Sequence, residues 1–437
     1  MKYTVDIDIG GTMTDGLFSD GNTLVPVKVD TTPHDFTVCF FDCLREGAKN
    51  CGYDDLAQFL SQVKVIRWSS TIATNVLAEG KGPKLGLLIS EGHASDLYGS
   101  LTSPAVPKVI QPEHIVPVSD SLSEEEILLK VRGLLEKGVR RICISLKGAY
   151  EDPRAEQRIK SLIEEQFPDH YLGAVPVLLG SDILHHPDDQ TRTHLALINS
   201  YVHTPLAVSL FKAEDDLMHQ YGYRKPVYIG HVNGGVARVA KTKGVDTTES
   251  GPVFGLQAAA YFAKQYALDK VITLDVGGTT TKLGLILDGE VVTAPQGDLF
   301  GIPLQTPWIL LRSVALGGGS IARVKDGQIT LGPDSMGAFP GPACYDLGGE
   351  QATLTDAFLV MGAINPRRFL GGRRTLEVEQ ARMAVAQHVA QPLNLTPEEA
   401  AQQIVEKAVE IIIQSCQQML EEMGMTADGF SLFTFGG

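Results

Sequence analysis

The chain alternates short apolar segments with longer amphipathic ones, a pattern typical of folds in which strands and helices follow each other. The short segments read as buried strands, and the long ones have apolar residues at helical spacing. The sequence therefore predicts an α/β fold. The predicted strands cover residues 63–68, 85–90, 141–146, 175–179 and 227–229, and the predicted helices cover 34–62, 122–138, 154–167, 190–221 and 396–424.

One pattern occurs twice at a constant offset, as a strand, a glycine pair and a second strand. The first copy runs over 5–16 and the second over 272–283, and both contain Asp-x-Gly-Gly-Thr-x-Thr. Each copy continues through apolar residues to an Asp-Gly pair, which predicts a tight hairpin turn. The duplication indicates a repeated functional loop, and we place a domain boundary near residue 250, ahead of the second copy, with a first domain over 1–250 and a second over 251–437.

The residue types in the repeated loop suit phosphate binding. Paired glycines let backbone N–H groups approach an anion closely, and threonine hydroxyls add short donors. A carboxylate just before the glycines would repel phosphate, so its presence implies a cation between them, such as Mg²⁺ held through water. One copy would be read as an ordinary hairpin turn, but two copies with matched hydroxyls favour ATP with Mg²⁺. The residues are Asp8, Gly10, Gly11, Thr12 and Thr14 in the first copy and Asp275, Gly277, Gly278, Thr279 and Thr281 in the second.

Composition narrows the class of partners. The chain has 437 residues, of which 43% are hydrophobic, so it can bury a sizeable core. Its formal net charge of −15 would be repelled by nucleic-acid phosphates and anionic membrane surfaces, so we expect neither as a partner. The six cysteines are scattered without a framework of spacings, which predicts reduced thiols and a cytoplasmic location.

Six further motifs occur in order along the chain, three between the two loops at 70–75, 233–236 and 250–252 and three after the second loop at 317–322, 341–345 and 354–357. The paired loops are similar to those of the superfamily of actin, sugar kinases and heat-shock chaperone ATPases. Together with the six motifs, the chain resembles the hydantoinase A, 5-oxoprolinase and acetone carboxylase family over essentially its whole length. The resemblance implies two actin- or sugar-kinase-like (ribonuclease H-like) lobes around an ATP cleft, with inserted α/β segments.

Members of this family use ATP to phosphorylate a carbonyl or amide oxygen, which activates the substrate for hydrolysis or carboxylation. Within the family, the chain looks most similar to the large subunits of acetophenone carboxylases. This resemblance implies a carboxylase subunit that phosphorylates an acetophenone-like ketone enolate or bicarbonate. One alternative is a hydantoinase, 5-oxoprolinase or lactamase acting on a cyclic amide, and another is a non-catalytic ATP-binding scaffold. The implied partners are a hydantoinase B type subunit and a homologous A-type subunit in a hetero-oligomer.

Carried over residue by residue, the resemblance gives Asp8 and Asp275 the roles of catalytic and magnesium-binding carboxylates, in two loops that should face one another across a cleft. The family's adenosine contact lies in a Phe-Gly-Gly run, which here ends the sequence. The family's pattern normally continues after this run, so we expect a truncated chain or one half of a split protein. The implied nucleotide contacts outside the two loops are Gly317, Gly318, Gly319, Ser320, Gly436 and Gly437.

Three further features of the sequence bear on function. Lys282 occupies the position where the family keeps an acidic residue matching Asp15, and a cation there would face phosphate. The segment between Ser95 and Ser121 is shorter than the family's substrate-facing loop. Both departures motivate the scaffold alternative. A loop rich in glycine and proline at 332–344 is of a kind that is usually functional or linking, although an ordinary surface loop is the alternative.

Overall fold

The computed structural model describes residues 2–99, 103–119, 121–299, 301–304 and 307–436. These residues form two α/β lobes with a cleft between them, and a smaller parallel sheet is inserted into the first lobe. Each lobe begins with one copy of the glycine loop. The predicted architecture of two lobes with inserted α/β segments is therefore confirmed.

The first lobe opens with antiparallel strands that lead into two helices. Buried positions alternate with half-buried ones along the first strand, so one face of the sheet packs on the core. Each helix begins at an aspartate, Asp35 or Asp55, whose side chain accepts a hydrogen bond from the first turn. The elements are β1 (Tyr3–Ile9), β2 (Met13–Ser19), β3 (Leu24–Asp30), α1 (Phe36–Asn50), α2 (Leu56–Gln62), β4 (Val63–Ser70) and α3 (Ile72–Glu79).

The helical periodicity over 34–62 belongs to two helices, α1 and α2. Gly52 follows α1 with a left-handed backbone, at φ +86°. Such a residue ends a helix easily when it is glycine, and Asp55 then caps the next one. The chain turns between the two helices for this reason, and both pack under the first sheet.

The inserted sheet lies between α3 and the longest helix of the lobe. Its elements are β5 (Leu85–Ser90), α4 (Val106–Val109), β6 (Ile115–Val118), α5 (Glu124–Glu136), β7 (Arg141–Ser145), α6 (Arg154–Gln166), β8 (Val177–Leu179) and α7 (Gly180–Ile183). The strands are all parallel in the order β6-β5-β7-β8. The two central strands are buried on both faces, as expected where helices cover a parallel sheet.

The first lobe closes with α8 (Asp189–His219), β9 (Val227–Gly230) and β10 (Val236–Arg238), and α9 (Ser250–Gln265) connects it to the second lobe. Its sheet has the strand order β10-β9-β4-β1-β2-β3, in which β1, β4 and β9 are parallel. The core beneath it includes Phe40 stacked on Trp68, with ring centroids 4.6 Å apart. Helix α9 contacts β4 and β9 on the opposite face, and its buried residues Val253, Leu256 and Ala259 pack in the core of the second lobe.

The second lobe repeats the central arrangement of the first. Its elements are β11 (Lys270–Val276), β12 (Thr281–Leu287), β13 (Glu290–Val291), β14 (Thr293–Ala294), β15 (Gly297–Leu299), β16 (Ile302–Leu304), β17 (Trp308–Ile309), β18 (Leu311–Val314), β19 (Ser320–Lys325), β20 (Gln328–Ser335), α10 (Leu354–Val360), α11 (Val378–Val385), α12 (Gln391–Leu393), α13 (Pro397–Glu422) and β21 (Ser431–Gly436). Strand β11 pairs antiparallel with β12 and parallel with β21, as β1 pairs with β2 and β4.

Two further findings concern the surface and the cysteines. Within the described ranges, no helix combines the length and apolar character that crossing a bilayer requires. All six cysteines are free thiols, and Cys39 and Cys43 are buried in the core under the first sheet. The close spacing of these two cysteines therefore reflects packing.

Candidate functional site

The two glycine loops meet across the cleft. In each loop the first glycine donates its N–H to the carbonyl three residues later, over 2.9 Å at Gly10 and 3.0 Å at Gly277. The loops approach so closely that a Cβ placed at Gly278 would lie 2.8 Å from Oγ1 of Thr12. The prediction that the loops face one another is confirmed.

The cleft has a volume of about 800 Å³ and is lined by elements of both lobes. The end of β4, the residue after it and the first turn of α3 supply hydroxyl and amide groups, and the first turn of α9 forms one end. The 332–344 loop also reaches the cleft, which favours its functional reading over an ordinary surface loop. Besides the two glycine loops, the lining includes Ser69, Thr71, Thr74, Asn75, Gly251, Pro252, Phe254, Gly255, Ser335, Gly337, Ala338, Phe339, Phe435 and Gly436.

Asp8 lies at the end of β1, where its carboxylate faces the cleft. Its Oδ1 accepts a hydrogen bond from Oγ of Ser69 over 2.6 Å. The start of α9 packs directly on it, since a Cβ at Gly251 would lie 2.7 Å from Asp8 Oδ1. Burial raises the pKa of Asp8 to about 6 despite the Ser69 hydrogen bond, and the charges of Asp15 and Asp275 add to the rise.

Asp275 takes the matching place in the second lobe, at the end of β11. A Cβ at Gly436 would lie 2.5 Å from its Oδ1, so the end of β21 packs against this carboxylate. Burial raises the pKa of Asp275 to about 6, while the neighbouring ammonium of Lys282 acts in the opposite direction. Both carboxylates are therefore held where their negative charge is disfavoured unless a cation neutralises it.

The donor set around Asp8 and Asp275 fits Mg²⁺. This ion takes hard oxygen ligands and is usually bound by one or two carboxylates together with waters and phosphate oxygens. In the described ranges no three His, Cys, Asp or Glu side chains gather into a cluster able to hold a metal on their own. The two carboxylates of the cleft thus suit a cation that arrives with phosphate better than a resident metal.

Two predicted phosphate contacts need correction. Thr14 is fully buried, and its hydroxyl lies 2.9 Å from that of Thr31. Thr281 is also fully buried, and its hydroxyl donates to the carbonyl of Leu316 over 2.7 Å. Each residue lies at the start of a strand, Thr14 in β2 and Thr281 in β12, and its side chain points into the core behind the loop. Both threonines hold the loops in place and do not line the cleft.

The run from Gly317 to Ser320 supports the second loop from behind. Gly318 and Gly319 donate their N–H groups to the carbonyls of Gly277 and Gly278, over 3.0 and 2.7 Å. Ser320 accepts a hydrogen bond from the N–H of Gly317 over 2.8 Å. These four residues, predicted to touch nucleotide, do not line the cleft.

Of the two glycines at the end of the sequence, the structure describes only the first. Gly436 lines the cleft beside Asp275, where it was predicted to contact the adenosine. Gly437, predicted as its neighbour in the same contact, lies outside the described residues.

Lys282 lies on β12 directly opposite Asp275 and lines the cleft. Its ammonium is buried and lies 2.7 Å from Oε1 of Glu249, and it also contacts Oγ of Ser313. The sequence analysis identified Lys282 as a departure from the family's pattern, but it did not identify Glu249 as the partner of Lys282. The only local signal for Glu249 is that it directly precedes the motif at 250–252.

The lysine of the first lobe was also missed. Lys28 lines the cleft and pairs with Asp15 over 2.8 Å. These two residues lie opposite one another on β3 and β2. An Asp and a Lys on neighbouring strands at opposite registers are a usable signal once the hairpin is predicted.

Comparison with known proteins places this cleft in a family. A family model described as Hydantoinase/oxoprolinase matches residues 192–437, and one described as Hydantoinase/oxoprolinase N-terminal region matches 4–167. The chain is 32% identical to the acetophenone carboxylase gamma subunit of Aromatoleum aromaticum, over 99% of this chain and 63% of the relative. It is 29% identical to the caprolactamase subunit alpha of Pseudomonas jessenii, over 100% of this chain and 65% of the relative.

Two solved structures share the fold. The nucleotide-free structure of acetone carboxylase superposes with a TM-score of 0.88 at 24% identity, covering 100% of this chain and 65% of that one. The ATP-dependent caprolactamase from Pseudomonas jessenii superposes with a TM-score of 0.76 at 28% identity, covering 100% of this chain and 66% of that one. The chain thus spans just under two thirds of the length of these relatives.

Proposed function

The chain belongs to the hydantoinase/oxoprolinase family, and on that premise we propose that it binds ATP with Mg²⁺ in the cleft and phosphorylates a carbonyl oxygen of a small acceptor. The observation that carries the proposal is the contact between the two glycine loops at Gly278 and Thr12, with Asp8 and Asp275 behind them. Phosphates held at this contact are gripped from both lobes, which fixes the transferred group in line for attack.

The residues of the cleft act by position and charge. Backbone N–H groups of the two loops donate to phosphate oxygens, as glycine-rich turns do in other anion sites. The first turn of α9 adds the positive end of its helix dipole. Asp8 and Asp275 would hold Mg²⁺, which would supply charge neutralisation on the transferred phosphoryl group.

The acceptor we favour is the enolate of an acetophenone-like ketone, or bicarbonate, in an ATP-dependent carboxylation. The likeness to the acetophenone carboxylase gamma subunit supports this choice. A cyclic amide is the alternative, supported by the likeness to the caprolactamase subunit alpha. Because these relatives are named as subunits, we propose that the chain works in a hetero-oligomer with a hydantoinase B type subunit and a homologous A-type subunit.

The test is acceptor-dependent ATP hydrolysis by the purified protein together with its co-purifying subunits. Acetophenone with bicarbonate, caprolactam, 5-oxoproline and hydantoin are supplied in turn, with Mg²⁺ present or chelated. Stimulation by the ketone supports the carboxylase, and stimulation by a cyclic amide supports the amidohydrolase. If ATP binds but none of the four compounds stimulates its hydrolysis, phosphoryl transfer is contradicted and the scaffold alternative is left.

A further inference from the structure

A side pocket opens from the cleft at Glu249, Lys282 and Ser313, which line both spaces. It has a volume of about 470 Å³ and is walled by the short strands β14, β15, β17 and β18. Leu299, Trp308 and Ile309 give it apolar walls, and Lys282 and Glu249 form the end next to the cleft. Further polar side chains of the lining are Gln296, Asp298 and Arg312. A carbonyl compound bound here with its carbonyl group at Lys282 would present that group at the boundary with the cleft.

Glu249 is held at that boundary with one oxygen unused. Its backbone is left-handed, at φ +55° and ψ +20°, a strained conformation for a residue of this size. Its N–H donates to Oγ1 of Thr74 over 3.1 Å, which ties it to α3. The residue is 8% exposed, and within the described part of the chain its Oε2 is buried without a hydrogen-bond partner. A buried carboxylate oxygen without a partner is costly, and a ligand's proton would satisfy it.

Lys282 provides the matching positive charge. Its ammonium is 2.7 Å from the other carboxylate oxygen, Oε1, of Glu249. Because Lys282 lies opposite Asp275, it also adjoins the second phosphate loop. An ammonium beside a carboxylate with a free oxygen matches one chemical pattern, a carbonyl group whose neighbouring atom carries a removable proton.

Resting on the proposed phosphoryl transfer, we propose that the side pocket is the acceptor site and that Glu249 is the base of the reaction. Oε2 of Glu249 takes the proton from the carbon next to a ketone carbonyl, or from the nitrogen of a cyclic amide. The electron pair moves to the carbonyl oxygen, which attacks the γ-phosphorus. A new O–P bond forms as the bond from the γ-phosphorus to the bridging oxygen breaks, and ADP leaves with that electron pair.

Lys282 stabilises the negative charge that develops on the carbonyl oxygen before attack. The apolar walls at Trp308 and Ile309 hold the hydrocarbon part of the acceptor. Ketones and cyclic amides share the carbonyl and the neighbouring proton, so the same pair of residues serves both. The proton comes from carbon in one case and from nitrogen in the other, and the two probes used below separate these sources.

The experiment compares Glu249→Gln with Glu290→Gln in the intact protein and its subunits. Glu290 is a matched control because its exposed side chain pairs with Lys264 away from the cleft. We expect Glu249→Gln to lower the acceptor-dependent kcat for ATP hydrolysis by about 10²- to 10⁴-fold, the range for loss of a general base. The affinity for MgATP should stay close to that of the parent and the melting temperature should fall, because Lys282 loses its buried counter-charge. Turnover is therefore compared at a temperature at which both variants are folded, and Glu290→Gln should behave as the parent does. Unchanged turnover in Glu249→Gln would overturn the role of Glu249.

Trp308 gives a readout of acceptor binding that does not depend on turnover. The sequence holds two tryptophans, and the other, Trp68, is buried in the first core. Acetophenone or caprolactam added without ATP should change the emission of the parent and of Glu249→Gln, and should leave Trp308→Phe unchanged. A response that survives in Trp308→Phe, or none in the parent, would overturn the pocket assignment.

These results also separate the inference from the proposed function. If no compound stimulates ATP hydrolysis in the parent, the phosphoryl transfer fails while the Trp308 titration still decides whether the pocket binds a carbonyl compound. If hydrolysis is stimulated but Glu249→Gln keeps it, the proposed function stands and the inference fails.

Discussion

The two lobes carry the same glycine loop and surround it with different charges. In the first lobe Asp8 lies opposite Asp15, which pairs with Lys28 on the next strand. In the second lobe Asp275 lies opposite Lys282. The acid that pairs with Lys282 comes from Glu249, outside the second sheet.

This difference shows how a duplicated loop can take on two tasks. The backbone and the first carboxylate are kept in both copies, which suits a shared grip on phosphate. The side chains of the Lys28–Asp15 pair are 28% and 53% exposed, whereas those of the Lys282–Glu249 pair are 8% and 10% exposed. Water screens the first pair and is largely excluded from the second, so the second lobe holds the stronger local field.

The largest expected effect comes from breaking the buried pair. Lys282→Met leaves Glu249 buried without a counter-charge, and we expect a loss of about 3–5 kcal/mol in the free energy of unfolding. Lys28→Met breaks the exposed pair of the first lobe and should cost about 0–1 kcal/mol. Urea denaturation of both variants measures the difference.

A double substitution checks the cause. If the cost of Lys282→Met comes from the unpaired charge, adding Glu249→Gln should recover most of the lost stability. A double variant that is as unstable as Lys282→Met would show that packing, and not charge, sets the cost.

The next effect concerns the carboxylate that each lobe has at the same position of its glycine loop, Asp8 in the first and Asp275 in the second. Asp8→Asn and Asp275→Asn should each lower Mg²⁺-dependent ATP turnover by about 10²- to 10³-fold, since each removes charge that positions the cation and phosphate. Stability should not fall, because burial already raises both pKa values and so disfavours the charged forms. Steady-state kinetics and thermal melting of each variant measure the two effects. Equal losses of stability and turnover would show that the carboxylates serve the fold.

Much of the fold could be predicted because its signals are local. The Asp-Gly pairs at 20–21 and 288–289 do form turns, and both glycines adopt positive φ. The apolar strands and long helices were also found from periodicity. The strands β14 to β17 were not, because segments of two or three residues are too short to show alternation.

The candidate site also has a part that local sequence predicts and a part that depends on how distant segments pack. Each glycine loop is one continuous stretch of sequence, so its chemistry could be predicted directly from the residues. The pairing of Glu249 with Lys282 depends on how α9 docks against Thr74, and no local pattern reports that docking. Thr14 and Thr281 were misplaced because a loop motif does not show where the strand begins and side chains start to alternate.

A moderate effect is expected where the lobes touch. Gly278→Ala places a Cβ 2.8 Å from Thr12 Oγ1, so the loops must separate, and we expect MgATP to bind about 10-fold more weakly, or about 1.4 kcal/mol. Gly133→Ala is the matched control, because a Cβ there meets no atom within 4 Å. Calorimetric titration with MgATP compares the two. Equal affinity in both variants would show that the contact between the loops does not shape the phosphate site.

The smallest expected difference lies behind the loops. Thr281→Val leaves the buried carbonyl of Leu316 without its donor, and we expect a loss of about 1 kcal/mol in unfolding free energy. Thr14→Val should cost less, because its partner Thr31 also donates to the carbonyl of Gly10 over 2.9 Å and keeps that bond. Neither hydroxyl reaches the cleft, so the affinity for MgATP should not change in either variant. If Thr14→Val weakens MgATP binding while Thr281→Val does not, the first loop uses its buried hydroxyl in a way that the second does not, and the functional difference between the lobes extends beyond their charges.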